Sequence, residues 1–571
     1  MKEVFSILTF KDFPYKRPDY SQLEADFRRL LQQFNQSSSG AVQERIIEDL
    51  NKLRQEYESM EDLARIRHSI DTTDPFYDQE NNYFDETAPF YTGLIHEYYQ
   101  TILASPYRPE LEAKLGKQLF RLAALNQKTF SPEVIPDLQT ENKLASEYTK
   151  LKASARIRFA GGEYNLAQMA PFLEAKERTT RQAAQEAFTG FFREKEAEFD
   201  RIYDELVKVR DRIAKKLGFA DFIELGYARL GRSDYNPSMV AGYRQQVLTS
   251  LVPLTVKLRQ RQASRLGLSA LKYYDEPLAF LSGNAVPKGD VHWKLAQAHR
   301  MYQELSPETG VFFSFMVEKE LLDLAAKAGK AGGGYCAYIS KYQAPFIFAN
   351  FNGTSGDVDT LTHEAGHAFQ VYSTKEWTIP EYHWPTAEAC EIHSMSMEFL
   401  TWPWMKLFFQ EDELKFKFAH LTSALLFVPY GVTVDEFQHW VYAHPEASPE
   451  ERKKVWRHLE TKYLPDRDYA DNDLLARGGY WYRQGHIYTD PFYYIDYTLA
   501  QTCAFQFWIK AGRDREAAWA DYLRLCQAGG SLSFLELVAL ANLQNPFTEG
   551  TIAALLPPLV AWLDGVDDRQ W

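Results

Sequence analysis

His363 and His367 stand four residues apart, with Glu364 directly after the first. On an α-helix that spacing puts both imidazoles on one face, one turn apart, close enough to share one metal ion. Glu364 points in a neighbouring direction, where a carboxylate reaches water bound to such an ion. The pattern His-Glu-x-x-His therefore reads as a zinc hydrolase site, with two metal ligands and a general base. A surface helix carrying two solvated histidines is the plain alternative.

Two histidines leave a catalytic zinc short, because such a site takes three protein ligands and one water. The next acidic cluster, residues 386–398, reads as a helix starting after Pro385. Glu388, Glu391, Ser394 and Glu398 share one face at spacings of three and four. Glu391, in mid-stripe, is the expected third ligand. Glu388, Glu398 and Asp359 are candidate acceptors for the N–H groups of the ligand histidines. His393 points away from Glu391 and is expected to be structural. A structural zinc site using Cys390 is a rival, but such sites are usually four-coordinate and Cys-rich.

Amide hydrolysis also builds negative charge on the former carbonyl oxygen. A metal takes part of it and neutral hydrogen-bond donors take the rest. His486, Tyr494 and Tyr497 supply such donors, and the two tyrosines are three apart on one helical face. An aromatic core segment is the alternative.

The elements that must position these groups follow from pattern. Residues 343–351 read as a short aromatic and β-branched strand, followed by a turn at 352–356 and then the His helix, N-capped by Ser355 or Asp357. Pro345 near the start of the strand suits an edge. An edge strand there could bind an extended peptide by strand addition, although a plain structural strand fits equally. Gly332-Gly333-Gly334 reads as a mobile loop. It is not a P-loop, because Gly329-Lys330 is followed by Ala331 rather than Ser or Thr.

Upstream, residues 1–17 read as extended up to Pro18. Apolar residues at helical spacing then predict helices over 20–34, 42–70, 75–104, 108–126 and 137–151, an antiparallel array. Asp74-Pro75 marks one helix start. Short alternating segments around Gly161-Gly162 predict a hairpin over 154–168. It divides an N-terminal helical region, 1–153, from a catalytic region, 154–571. Helix is expected again over 174–217, 237–266 and 290–327.

Composition sets further bounds. The 571 residues carry 64 Lys and Arg against 78 Asp and Glu, a net −14, so no basic excess exists to displace counterions from nucleic acid. The four cysteines (Cys336, Cys390, Cys503 and Cys526) form no C-x-x-C pair and suit a reducing compartment. No run of 18 apolar residues predicts a membrane span. The apolar run Val4–Phe10 meets Lys11, Asp12 and Pro14 without a small-residue cleavage site, so no signal peptide is read. A cytoplasmic chain is expected, with no nucleic acid or membrane partner.

Together these segments resemble the M3 family of zinc oligopeptidases, which includes thimet oligopeptidase and bacterial oligoendopeptidase F. The resemblance rests on His363-Glu364-Ala365-Gly366-His367, with Gly in fourth place, and on Glu391-Ile392-His393-Ser394, which matches the family's E-x-x-S. Leu217-Gly218-Phe219 and Arg232-Ser233-Asp234-Tyr235-Asn236 look most like the Pz-peptidase branch. The likeness spans roughly residues 200–560. It is looser at 486–497, where Asp490-Pro491 stands in place of glycine.

The resemblance implies a mainly α, zincin-type fold with a small β region beside the metal helix and a deep channel between two halves. It implies cleavage of short peptides inside the cell, with Zn²⁺ on His363, His367 and Glu391. Glu364 would be the base, and Tyr497, His486 and Tyr494 the candidates for stabilising the tetrahedral intermediate. One rival is a zinc carboxypeptidase, which needs a cation for the substrate's terminal carboxylate; the sequence does not single one out. Another is a non-catalytic, metal-containing peptide-binding protein, which has no use for Glu364 as a base.

Overall fold

The computed structural model describes residues 8–571. Helix makes up 70% of the chain and strand 4%, the mainly helical class expected. The extended reading of 1–17 falls partly outside the described residues; within them Phe10–Asp12 is a short 3-10 turn.

The first long helices run Tyr20–Gln36, Gly40–Ile70 and Pro75–Leu103. Each starts where a side chain satisfies a free backbone donor. Asp19, Ser39 and Asp74 accept from the N–H groups of Gln22 (3.1 Å), Val42 (3.3 Å) and Phe76 (2.8 Å). Pro75 occupies the first turn, where its missing N–H costs nothing. The buried stripe Phe27, Leu30, Leu31 and Phe34 packs with Leu50, Tyr98 and Phe120 in a small apolar cluster. Ile379 and Tyr382, from far downstream, complete that cluster. The Tyr382 hydroxyl donates to the Leu115 carbonyl (2.6 Å) and accepts from the Leu119 N–H (3.1 Å).

The expected hairpin is present as β1 (Ile157–Phe159) and β2 (Gly162–Tyr164), paired antiparallel. Further on, the reading of helix to residue 327 is corrected. Helix ends at Glu318, and Leu322–Ala325 forms strand β3. Its few apolar residues fit either state; pairing with a distant strand decides it.

β3 joins β4 (Tyr335–Ile339) and β5 (Ala344–Phe351) in a sheet of order β3-β5-β4. β5 is thus central, parallel to β3 and antiparallel to β4, which corrects its reading as an edge. Pro345 is tolerated because of register. The Ile347 N–H bonds across to Leu321 (2.9 Å), so the proline two residues earlier faces the same side, before β3 begins. The free edge beside the site belongs to β4.

Five helices surround the functional residues. They are α1 (Gly356–Ser373), α2 (Ala387–Leu400), α3 (Glu413–Ala443), α4 (Gly485–Thr489) and α5 (Tyr494–Ala511). α1 lies between β5 and α2, and α2 in turn packs on α5. The backbones of α1 and α2 meet at Gly366. A Cβ there would sit 2.6 Å from the His393 carbonyl oxygen and 2.7 Å from Ser394 Cα, so only glycine lets the two site helices approach this closely. Most of the buried apolar residues form one cluster running from Phe13 to Leu563, and it includes Leu361, Ala365, Ala368 and Phe369 of α1.

Candidate metal centre and catalytic cleft

α1 enters the site from a tightly bound turn. Asp357 accepts from the N–H groups of Asn352 (2.8 Å) and Gly353 (3.0 Å) and pairs with buried Lys294 (2.5 Å). Its carboxylate therefore caps the turn before the helix, and Ser355 occupies the N-cap without a side-chain bond. The Gly-rich loop ahead of β4 is tied by Asn350, whose amide donates to the carbonyls of Ala331 (2.9 Å) and Gly333 (2.8 Å).

Two turns into α1, His363 Nε2 and His367 Nε2 lie 3.1 and 3.3 Å from Glu391 Oε2 on α2. Glu391, not Glu388, is the carboxylate that meets the two imidazoles. Two ring nitrogens and one carboxylate oxygen converging in this way are the donor set of a catalytic zinc, and all three groups can reach one ion. The chemistry of the residues fits the metal. The two histidines hold the Glu391 carboxyl well below its ordinary pKa despite burial, so it is ionised, as a ligand must be.

A second layer fixes these groups. Glu398 Oε1 sits 2.7 Å from His363 Nδ1, and its Oε2 sits 2.8 Å from His420 Nε2 on α3. The Trp402 indole N–H donates to His420 Nδ1 at 3.2 Å. An indole nitrogen only donates, so His420 Nδ1 is an acceptor and the proton lies on Nε2, aimed at Glu398. Tyr493 donates to Glu391 Oε1 (2.7 Å) and Ser394 to Glu391 Oε2 (2.7 Å). Asp359 reaches only to 3.9 Å from His420 and touches neither α1 histidine. Glu388 turns to Thr386 (3.0 Å), on the side of Arg232. His393 is fully buried, with Tyr522 beside its ring at 6.2 Å and its pKa pushed down to about 4 by burial and by His367.

Glu364 is buried, and its Oε2 has no hydrogen-bond partner among the described residues. Burial raises its pKa, against the pull of His363 and His367. A buried acceptor with nothing to accept from is costly unless a ligand or water supplies the proton. The start of β4 runs close by: a Cβ on Gly334 would lie 3.1 Å from Glu364 Oε1.

The opposite wall holds His486 on α4 and Tyr497 on α5, joined at 3.0 Å. The direction of that bond follows from its neighbours. Tyr430 donates to Gln484 Oε1 (3.0 Å), which leaves the Gln484 amide nitrogen to donate to His486 Nδ1 (3.0 Å). His486 Nε2 then carries the proton and donates to the Tyr497 oxygen, leaving the Tyr497 hydrogen free for another acceptor. Burial lowers the His486 pKa and raises that of Tyr497, so the ring is neutral and the phenol protonated. The Tyr497 ring lies 6.4 Å from that of His363. Tyr494 faces Phe427 and Tyr430 instead, with its ring 5.4 Å from Tyr497.

Sequence reading missed Tyr493, His420 and Gln484. Tyr493 carried a signal: it stands four residues before Tyr497, the same spacing as the histidine pair. His420 carried none, since its partners come from other elements; Gln484 stands two residues before His486, but the Tyr430 hydroxyl that fixes its orientation comes from α3.

A cavity of 580 Å³ opens beside these groups, bordered by Asp359, His420, Tyr430, Arg483, Gln484 and Tyr494. Its size suits a short peptide segment. Among the described residues no helix is long and apolar enough to cross a membrane. All four cysteines are free.

Comparison with known proteins agrees with this geometry. Residues 10–130 match the peptidase M3 N-terminal domain, and residues 308–556 match peptidase family M3. A solved structure provisionally named oligoendopeptidase F is 60% identical, with a TM-score of 0.98 over 99% of this chain and 100% of that one. Pz peptidase A, solved with an inhibitor, is 57% identical, with a TM-score of 0.98 over 98% of this chain and 100% of the other. An oligoendopeptidase F homologue of Borreliella burgdorferi is 25% identical over 39% of this chain. That match spans 38% of the curated relative's length. With both family segments in sequence order and near-complete superposition on relatives of more than half identity, the chain belongs to peptidase family M3.

Proposed function

We propose that this chain is a zinc-dependent endopeptidase that hydrolyses short oligopeptides in the cytoplasm. The observation that carries the reading is the convergence of His363, His367 and Glu391 beside a Glu364 oxygen with no partner of its own. His363, His367 and Glu391 would hold one Zn²⁺. Zinc in that position supplies a Lewis acid, polarising the scissile carbonyl and acidifying water. Glu364 takes the proton of the attacking water on Oε2 and passes it to the leaving amine. Tyr497, with its oxygen already accepting from His486, turns its hydrogen to the oxygen on which negative charge develops. Tyr493 holds Glu391 in its ligating pose through the other carboxylate oxygen.

The free edge of β4 gives an extended peptide a row of backbone partners next to Glu364, independent of side-chain identity. That mode supports broad acceptance of short peptides.

The test is an internally quenched peptide blocked at both ends. Cleavage that is abolished by a chelator and restored by zinc, with the helical circular dichroism unchanged, supports the reading. Cleavage confined to peptides with a free C-terminal residue, releasing that residue alone, would sink it in favour of a carboxypeptidase.

A further inference from the structure

Four guanidinium groups border the 580 Å³ cavity: Arg259, Arg265, Arg467 and Arg483. Three have carboxylate partners. Arg259 and Arg467 share Glu276 (3.1 and 2.8 Å), and Arg265 pairs with Asp568. Arg483 has none among the described residues. Its guanidinium donates to the Tyr480 hydroxyl, at 3.3 Å, and its charge rests on the rings of Tyr480 (5.0 Å) and Phe188 (5.4 Å). The side chain is exposed to the cavity although protein surrounds it.

The surroundings add positive charge. Lys152 donates to the Arg483 carbonyl at 3.1 Å and also lacks a carboxylate partner among the described residues. Burial and the neighbouring Arg483 push the Lys152 pKa down to about 8. Arg467 is nine-tenths buried, and its Nη1 makes no hydrogen bond; the nearest carboxylate oxygen, on Glu460, is 3.9 Å away. Glu276 faces Arg259, Arg467 and Arg483 at once, and Glu460 is a further carboxylate beside Arg467. The cavity is also bordered by the carboxyl groups of Glu174, Glu276 and Asp359.

Unpaired arginines are ordinary on an open surface, where water solvates them. Two guanidinium groups with open donors on one cavity wall are a different case: buried Arg467 gives up hydration that an anion would restore, and Arg483 beside it is open to reach that anion. We infer that Arg483, flanked by Arg467, is a subsite for a carboxylate of the bound peptide. The inference rests on the proposed peptidase function and adds a specificity element to it. Arg483 is separated from the metal ligands by the Gln484–His486–Tyr497 chain, so the carboxylate it grips lies away from the scissile bond. It is either the peptide's terminal carboxylate or an Asp or Glu side chain. The two share one chemistry, a planar anion matched by a planar fork of donors.

The test uses the zinc-loaded Glu364→Gln protein, so that peptide binding is read without turnover. Isothermal titration compares one peptide as free acid, as C-terminal amide, and as amide with a Glu in the penultimate position. The expected result is that one or both carboxylate-bearing forms bind about tenfold tighter than the plain amide. Adding Arg483→Gln should bring the ratio to within about twofold of unity, and Arg483→Lys should keep part of it. Preference for the free acid identifies the terminal carboxylate; preference for the Glu peptide identifies a side chain. The subsite is overturned if no carboxylate form is preferred, or if the preference survives Arg483→Gln unchanged. Failure of the wild-type protein to cleave a peptide that binds in this way would overturn the peptidase reading and leave the subsite standing.

Discussion

The two walls of the cleft are built on opposite principles. On the α1–α2 wall, polar groups are locked in pairs. His363 is held by Glu398, Glu398 by His420, and His420 by Trp402, while Glu391 is gripped by Tyr493 and Ser394. On the α4–α5 wall, the chain Tyr430–Gln484–His486–Tyr497 runs in one direction and ends on a hydroxyl hydrogen with nowhere to go. The first arrangement suits ligands that must not move when a metal binds. The second suits a donor whose partner exists only while charge is building. Around His363, His367 and Glu391 the first wall is paired except at Glu364 Oε2 and His367 Nδ1, which have no partner among the described residues, and the second ends one bond short.

Breaking the comparison starts with the group between the walls. Glu364→Gln should lower kcat by about 10³-fold or more, while metal analysis still finds one zinc per chain. Comparable turnover in that variant would remove Glu364 from the mechanism.

Next comes the open donor. Tyr497→Phe should cost about 10²–10³-fold in kcat with little change in KM, because its bond forms mainly in the transition state. An effect on KM alone would mean that the hydroxyl serves binding.

The support behind α4 is the third target. Arg210 ties the Tyr488 carbonyl (2.6 Å) to Glu141 (2.6 Å), and so anchors the short helix that carries His486. Burial raises the Glu141 pKa, but Arg229 and Arg210 outweigh it and bring it to about 2 from an ordinary 4.5. A depressed folded-state pKa gives stability that is complete above the unfolded value and is lost as pH falls from about 4.5 towards 2. At neutral pH it amounts to about 3 kcal/mol. Glu141→Gln should lower stability by that order at pH 7, and denaturant titrations should find the gap to wild type closing across this acid window.

On the α1–α2 wall, Glu398→Ala should weaken zinc binding about 10–100-fold in competition with a chelator. Unaltered zinc affinity would make Glu398 a bystander. The smallest effect belongs to Gln484→Leu. It frees the His486 tautomer and should cost about fivefold in kcat, the worth of one neutral hydrogen bond. A loss as large as that of Tyr497→Phe would mean that Gln484 does more than set direction.

How much was legible beforehand follows the same division. The α1–α2 wall is written mostly in local spacing: the four-residue step from His363 to His367, and the α2 stripe that presents Glu391 and Glu398 together. The α4–α5 wall is not. Tyr494 and Tyr497 looked equivalent on a helical wheel, yet neighbours from α3 draw Tyr494 aside, and Tyr493 turns to Glu391. The edge reading of β5 failed for a related reason. Pro345 forbids one hydrogen bond on one side, and only the starting point of β3 decides whether a bond was needed there.

The sequence by itself determined the helix that carries His363, Glu364 and His367, the Glu391 stripe proposed to meet it, and the helical class, because helical periodicity and capping act within a few residues. It also determined Gly366, although its use as the contact between two backbones emerges only when α2 is in place. The tertiary structure alone decided which carboxylate supports which histidine and the strand order β3-β5-β4. It alone set the direction of the bonds ending at Tyr497 and left Arg483 on a cavity wall without a carboxylate partner among the described residues. Most of those outcomes join residues on different elements, as Glu398 joins His363 and Tyr430 joins Gln484, and no local pattern constrains which of many polar side chains will meet.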